Sequence, residues 1–214
     1  DGEPFQSFET TLPGRTLPPV RLVAEDVDFD GYTDFYLLAG GDPEEAPSAR
    51  YYVWAQGRFN PDPYGLDALS GLYFVPERKM VVSSKRWREN HSLYYQYEAG
   101  GLVQVGEKYV PAGEEGFREA RITCRITPDP EHTLWAALTQ ERERREGEEL
   151  PVLLTLYTDP EQTAVFQRFE DTCMVSGLGY IDLWSEDVDF DGCPDLCYSS
   201  WAGAHSFGMT ALVW

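Results

Sequence analysis

A ten-residue acidic segment that occurs twice constrains this chain more than any other feature. Residues 25–34 read Glu-Asp-Val-Asp-Phe-Asp-Gly-Tyr-Thr-Asp, and residues 186–195 read Glu-Asp-Val-Asp-Phe-Asp-Gly-Cys-Pro-Asp. The first seven positions are identical, and both segments end in aspartate. Because the carboxylates within each segment repel one another, a fold that contains such a segment needs a cation or a dense set of hydrogen bonds to stabilise it.

The spacing of the acids predicts a calcium site in each segment. Calcium is bound by six to eight oxygens at about 2.3–2.6 Å, and side chains at positions 1, 3, 5 and 9 of a tight loop can converge on one ion. The glycine at position 6 permits the positive φ of such a turn. The predicted ligands are the aspartate side chains and the carbonyl at position 7, namely Asp26, Asp28, Asp30, Tyr32 and Asp34, and Asp187, Asp189, Asp191, Cys193 and Asp195. The alternative interpretation is a turn whose aspartates hydrogen-bond their own backbone without metal.

The sequence around each loop predicts strands and not helices. Position 12, where a helix-loop-helix calcium hand has a bidentate glutamate, is Leu37 in the first loop and Tyr198 in the second. Residues 21–24 and 33–38 around the first loop are rich in branched and aromatic side chains, which favour strands. We therefore expect each loop to join two strands and the bound calcium to be structural.

The repeat extends well beyond the loops. At an offset of 161, half of the positions between residues 5 and 34 are identical to their counterparts. The repeated units are residues 5–54 and 166–214. Each is predicted to contain four strands, at Phe5–Glu9, Val20–Ala24, Thr33–Ala39 and Arg50–Trp54, and at Phe166–Glu170, Tyr180–Trp184, Asp195–Ser199 and Met209–Trp214.

Residues 55–165 supply degenerate units between the two clear copies. Strand candidates there are Leu72–Val75, Lys79–Ser84, Ser92–Tyr97, Leu102–Val105, Arg118–Ile126, Leu134–Thr139 and Val152–Tyr157. The whole chain, residues 1–214, is thus predicted to be a single all-β domain resembling a β-propeller, with about four four-stranded units. An open arrangement of two sheets is the alternative.

The loop and its flanks resemble known families. The pattern Asp-x-Asp-x-Asp-Gly-x-x-Asp between strands is similar to the loops of FG-GAP and VCBS repeats. With Tyr51-Tyr52-Val53-Trp54 soon after the loop, the chain resembles a family of exported bacterial proteins built as vestigial β-propellers. One member of that family is a periplasmic immunity protein that inhibits a lysozyme-like effector, so the resemblance implies inhibition of a cell-wall hydrolase.

Charge and hydropathy exclude several classes of function. The formal net charge is −20, and the two loop segments hold ten of the 37 acidic residues. Nucleic acid is an improbable partner for such a surface, because phosphate binding needs positive charge. The sequence contains no run of about 18 apolar residues, so no membrane span is predicted. Calcium loops suit an extracellular, cell-surface or periplasmic location, and we expect an export signal that is not in this sequence.

The four cysteines, Cys124, Cys173, Cys193 and Cys197, leave the disulfide pattern open. A bridge between Cys193 and Cys197 is disfavoured, because four extended residues span about 13 Å and a disulfide needs Cα atoms within about 7 Å.

A basic, aromatic segment is the candidate partner site. Arg86, Trp87 and Arg88 stand out in so acidic a chain and are typical of a patch that anchors a protein or an anionic glycan. The alternative is a charged hairpin turn. No motif of a catalytic nucleophile is present, so we expect an exported calcium-binding module that binds a partner and is not an enzyme. A surface glycan- or protein-binding module and a hydrolase on a propeller scaffold are the alternatives.

Overall fold

The computed structural model describes residues 5–11, 17–40, 49–85, 91–99, 101–111, 119–129, 131–141, 143, 145–175, 177–201 and 207–213. The described residues form fifteen strands: β1 (Leu17–Glu25), β2 (Asp34–Gly40), β3 (Ala49–Ala55), β4 (Arg58–Pro61), β5 (Leu72–Val75), β6 (Met80–Lys85), β7 (His91–Glu98), β8 (Gly101–Tyr109), β9 (Arg121–Asp129), β10 (His132–Gln140), β11 (Leu150–Tyr157), β12 (Val165–Cys173), β13 (Ile181–Glu186), β14 (Asp195–Trp201) and β15 (Phe207–Leu212).

The all-β class predicted from the sequence is confirmed. The strands form three open antiparallel sheets with the orders β1-β2-β3-β4, β12-β11-β10-β9-β8-β7-β6-β5 and β13-β14-β15. No α-helix is present in the described part of the chain, and nothing there forms a helix with the length and hydropathy needed to cross a bilayer. An arrangement of four four-stranded propeller units is not confirmed.

The contacts within the chain define two compact units. Unit 1 comprises Asp1–Trp87 and Leu93–Gln104, and unit 2 comprises Arg88–Ser92 and Val105–Trp214. Each unit has its own core. In unit 1 the core cluster is formed by the buried residues Val27, Tyr51, Val53, Leu66 and Val81. In unit 2 the core is larger, because alternate residues of β9, β10 and β11 are buried on one face, as expected for strands with period two.

The two sequence repeats fold alike around their loops. In the first copy Glu25 pairs with Asp34, and in the second Glu186 pairs with Asp195, so the acidic loop joins two antiparallel strands in the same register. The third strands, β3 and β15, also correspond, but the second copy has one residue fewer between the equivalent paired positions. Leu196 lies 161 residues after Phe35, whereas its partner Leu212 lies 160 residues after Tyr52, the partner of Phe35.

The prediction that Phe5–Glu9 is a strand is wrong. The first copy takes its fourth strand from β4, which pairs with β3. Residues 5–11 have no regular structure, and the hydrogen bonds of this segment to β4 are made by the Gln6 side chain. The counterpart segment, Phe166–Glu170, is a strand as predicted, but β12 pairs with β11 and not with its own copy.

The other predicted strands are confirmed within a few residues, since each combines branched or aromatic residues with turn formers at its ends. Val20–Ala24, Thr33–Ala39 and Arg50–Trp54 fall in β1, β2 and β3, and the candidates of residues 55–165 fall in β5 to β11. The four cysteines are free. Cys124, Cys173 and Cys197 are buried, and Cys193 is half-buried.

Candidate metal centres

The first acidic loop leaves β1 at Glu25 and enters β2 at Asp34. Two of its residues have left-handed backbone conformations, Phe29 with φ 62° and Gly31 with φ 91°. Glycine adopts this conformation easily, whereas for a bulky aromatic residue it is unusual. The tight winding that the sequence predicted is therefore present, and at Phe29 the rest of the loop imposes it.

Three predicted ligands of the first loop meet at one point. Asp26, Asp28 and Asp34 each place a carboxylate oxygen within 4.8 Å of the other two. Oxygens that share one calcium ion at about 2.3–2.6 Å lie no more than about 5.2 Å apart. The three carboxylates thus fit a single cation, and hard oxygen donors are the ligands that calcium prefers.

Hydrogen bonds hold two of these carboxylates in place. Asp34 is only 1% exposed and accepts hydrogen bonds from the backbone N–H groups of Val27 at 2.9 Å and Trp54 at 2.7 Å. Asp26 accepts hydrogen bonds from the N–H groups of Asp30 at 3.2 Å and Gly31 at 3.0 Å. A carboxylate has about four lone-pair sites, so oxygen capacity is left for a cation.

The electrostatics of the first loop favour a positive ion. Burial is the main reason that the pKa of Asp28 is raised to about 6; the hydrogen bond from Tyr64 opposes this shift, and the charges of Asp34 and Asp30 add to it. Burial likewise raises the pKa of Asp34, against the hydrogen bonds from Trp54 and Val27. Since both groups resist ionisation here, a divalent cation would relieve an unfavourable concentration of negative charge.

The second loop repeats this geometry in unit 2. Phe190 and Gly192 have the same φ values as their counterparts, 62° and 91°. Asp187, Asp189 and Asp195 bring carboxylate oxygens within 4.8 Å of one another.

The hydrogen bonds inside the second loop also match those of the first. Asp187 accepts from the N–H groups of Asp191 at 3.2 Å and Gly192 at 3.0 Å, and Asp195 accepts from Val188 at 3.1 Å. Asp195, like Asp34, is 1% exposed. The identical sequence thus encodes the same local structure twice.

The surroundings of the two loops differ. In unit 1 the ring of Phe29 packs edge-to-face against Phe74 and Tyr97, with centroids 6.4 and 6.0 Å away, and Tyr64 donates a hydrogen bond to Asp28 at 3.0 Å. In unit 2 the side chain of Phe190 is 90% exposed. The first loop is therefore covered by other strands of its unit, and the ring of the second is not.

The remaining predicted ligands lie beside these clusters. Asp30 and Asp191 are not part of them; each instead accepts a hydrogen bond from the N–H two residues on, which belongs to Tyr32 at 2.8 Å and to Cys193 at 2.7 Å. Direct ligation by these four residues stays a prediction. The candidate partner site, Arg86, Trp87 and Arg88, lies outside the described residues.

Sequence reasoning missed the residues that support the first loop from a distance. Tyr64, which donates a hydrogen bond to Asp28, lies 36 residues after it in the sequence. Tyr97 donates a hydrogen bond to the carbonyl of Val27 at 2.9 Å and lies 70 residues after Val27. Nothing near either tyrosine in the sequence marks this role. Both contacts depend on strand pairing that the loop motif does not specify.

Comparison with known proteins does not identify relatives. No protein-family model matches the chain, and the searches of curated proteins and of solved structures give no match either. The two acidic clusters are therefore interpreted from their own geometry.

Proposed function

We propose that this protein is an exported, calcium-stabilised, β-rich module that acts by binding another macromolecule. The observation that carries the proposal is the repeated cluster of three carboxylates, formed by Asp26, Asp28 and Asp34 and again by Asp187, Asp189 and Asp195. Oxygen-only donors held by a tight loop suit calcium better than zinc, which takes nitrogen and sulfur ligands.

A structural role for the metal is supported by the position of each cluster. Asp34 and Asp195 are buried at the start of a central strand of their sheets, and each hydrogen-bonds the backbone of its loop. A cation bound there would fix the loop and the strands that it joins. Binding to the folded state alone would stabilise each unit through linkage, by about 2.7 kcal/mol per site at 100 times the dissociation constant.

The proposal is tested by thermal unfolding in EDTA and in millimolar calcium, together with calorimetric titration. We expect two bound ions per chain and a higher melting temperature with calcium. Magnesium at the same concentration is the control, because it demands a smaller octahedral site and keeps its waters. Absence of binding heat together with an unchanged melting temperature would show that the aspartates only hydrogen-bond their own loops.

Inhibition of a cell-wall hydrolase stays a prediction of the family resemblance. It is tested by assaying a lysozyme-type enzyme with the calcium-loaded protein, using heat-denatured protein as the control. A vestigial propeller is likewise the fold that this resemblance implies, and an experimental structure would test it.

A further inference from the structure

The connection from β4 to β5 begins with a compact turn, residues 62–68, that lies in unit 1. Its backbone is left-handed at Asp62, with φ 27°, and at Gly65, with φ 81°. The Asp62 carboxylate accepts hydrogen bonds from the N–H groups of Leu66 and Asp67, both at 2.8 Å. One aspartate side chain thus closes the turn, and two left-handed residues reverse the direction of the chain within it.

One end of the turn is fixed to β3. The Asp67 carboxylate accepts a hydrogen bond from the N–H of Tyr51 at 3.0 Å and is paired with the guanidinium of Arg50. Leu66 is fully buried and belongs to the same core cluster as Val27 of the acidic loop. These contacts involve none of the carboxylates that form the first candidate metal centre.

The middle of the turn is fixed to the acidic loop by a pair of tyrosines. Tyr64 donates its hydrogen bond to Asp28 at 3.0 Å, and its ring packs edge-to-face on Tyr97 with centroids 4.7 Å apart. Tyr97 donates to the carbonyl of Val27 at 2.9 Å and packs on the ring of Phe29. The two tyrosines therefore contact three consecutive residues of the loop.

The tyrosine contacts depend on the position of Asp28, and a cation would fix that position. Asp26, Asp28 and Asp34 place oxygens within 4.8 Å of one another, so their negative charges repel when no cation lies between them. A bound ion removes this repulsion and holds the Asp28 carboxylate where Tyr64 reaches it. Because linkage is reciprocal, a contact that strengthens ion binding is itself strengthened by the ion.

We propose that residues 62–68 form a calcium-responsive element: calcium in the first loop locks this turn against the loop through Tyr64, and removal of calcium lets the turn open locally. Pro63, Gly65 and Ala68 are exposed, so calcium controls the conformation of a surface turn. The proposal rests on the calcium part of the function proposed above and adds how the first site regulates a surface that a partner can contact.

Amide hydrogen exchange in EDTA and in saturating calcium tests the proposal. The reporters are the N–H groups of Leu66 and Asp67, which Asp62 binds, and that of Leu69, which bonds the carbonyl of Leu66 at 3.0 Å. Exchange at such groups reports local opening. We expect all three to exchange at least about tenfold more slowly with calcium.

Two variants show whether the effect passes through the tyrosine. Tyr64→Phe deletes the hydrogen bond to Asp28 and keeps the ring, so in saturating calcium it should lose most of the added protection of the three amides. Asp189→Asn is the matched control, because it changes a predicted ligand of the second loop and should leave the calcium effect on residues 62–68 unchanged. Calorimetric titration of each protein gives the number of bound ions.

Two outcomes would overturn the proposal and leave a calcium-stabilised module intact. The first is equal exchange at the three amides with and without calcium in protein that binds two ions. The second is the same calcium effect in Tyr64→Phe as in the unaltered protein, which would show a general gain in stability and no coupling through Tyr64. Absence of calcium binding would overturn both this proposal and the calcium part of the proposed function.

Discussion

Phe29 and Phe190 occupy the same position in two identical loop segments and have the same φ of 62°, yet one is packed between aromatic rings and the other is 90% exposed. The backbone of the loop therefore does not depend on what covers this ring. Its conformation comes from local interactions, namely the glycine two residues on and the aspartate side chains that bind N–H groups. What differs between the copies is support from the rest of each unit, and this support should tune stability and metal affinity.

Removal of a buried carboxylate should have the largest effect. Asp34→Ala leaves the N–H groups of Val27 and Trp54 without their acceptor, so we expect a loss of about 3 kcal/mol of unfolding free energy in EDTA. Urea unfolding measures it. Asp34→Asn, which keeps an acceptor oxygen, is the control and should lose less. Asp195→Ala is the matched change in unit 2, and a neutral result for either alanine variant would show that the aspartate does not organise its loop.

Replacement of each loop phenylalanine by alanine should lower the unfolding free energy by different amounts in the two copies. Phe29→Ala removes edge-to-face contacts with Phe74 and Tyr97, and we expect it to cost about 2 kcal/mol. Phe190→Ala should change stability by less than about 0.5 kcal/mol, because the ring is exposed. Urea unfolding of both variants in calcium is the measurement. Equal costs would contradict the difference in packing.

The tyrosine that supports Asp28 should act on the first site alone. Tyr64→Phe deletes the hydrogen bond to Asp28 and should cost about 1 kcal/mol, with weaker calcium binding at one of two sites. Calorimetric titration resolves the two sites. Tyr32→Phe, at an exposed ring on the same loop, is the control and should leave both affinities unchanged. Weakening of both sites together would mean that the loops are not independent.

Among these predictions, a change of pH should have the smallest effect. Lower pH should favour the folded state of the calcium-free protein but weaken calcium binding. The pKa of Asp28 is raised to about 6, above its ordinary value, so in EDTA this group makes the folded state relatively more stable as pH falls through 6. Calcium binding requires the ionised form, so the first-site affinity should fall several-fold between pH 7 and pH 5. Titrations at the two pH values measure this change, and a constant affinity would show that Asp28 is not a ligand.

The sequence was most informative where structure is local. The acid spacing and Gly31 predicted a tight loop between two strands, and strand propensity located β5 to β11, because these features depend on neighbouring residues. It failed where partners are distant. Gln6 acts through its side chain in place of a strand, and Tyr64 reaches Asp28 across 36 residues. The eight-stranded sheet pairs strands that follow one another in the chain, but short patterns do not encode where one sheet ends and the next begins.

The single-residue difference in length between the two copies has a practical consequence. Phe35 and Tyr52 correspond to Leu196 and Leu212 in spite of it, so the change lies in the connection from the second strand to the third and does not invert the strand that follows. The segment between the paired residues Leu38 and Ala49 is one residue longer than the segment between the paired residues Ser199 and Met209. We therefore expect an insertion between the second and third strands of either copy to leave the registers of both acidic loops unchanged.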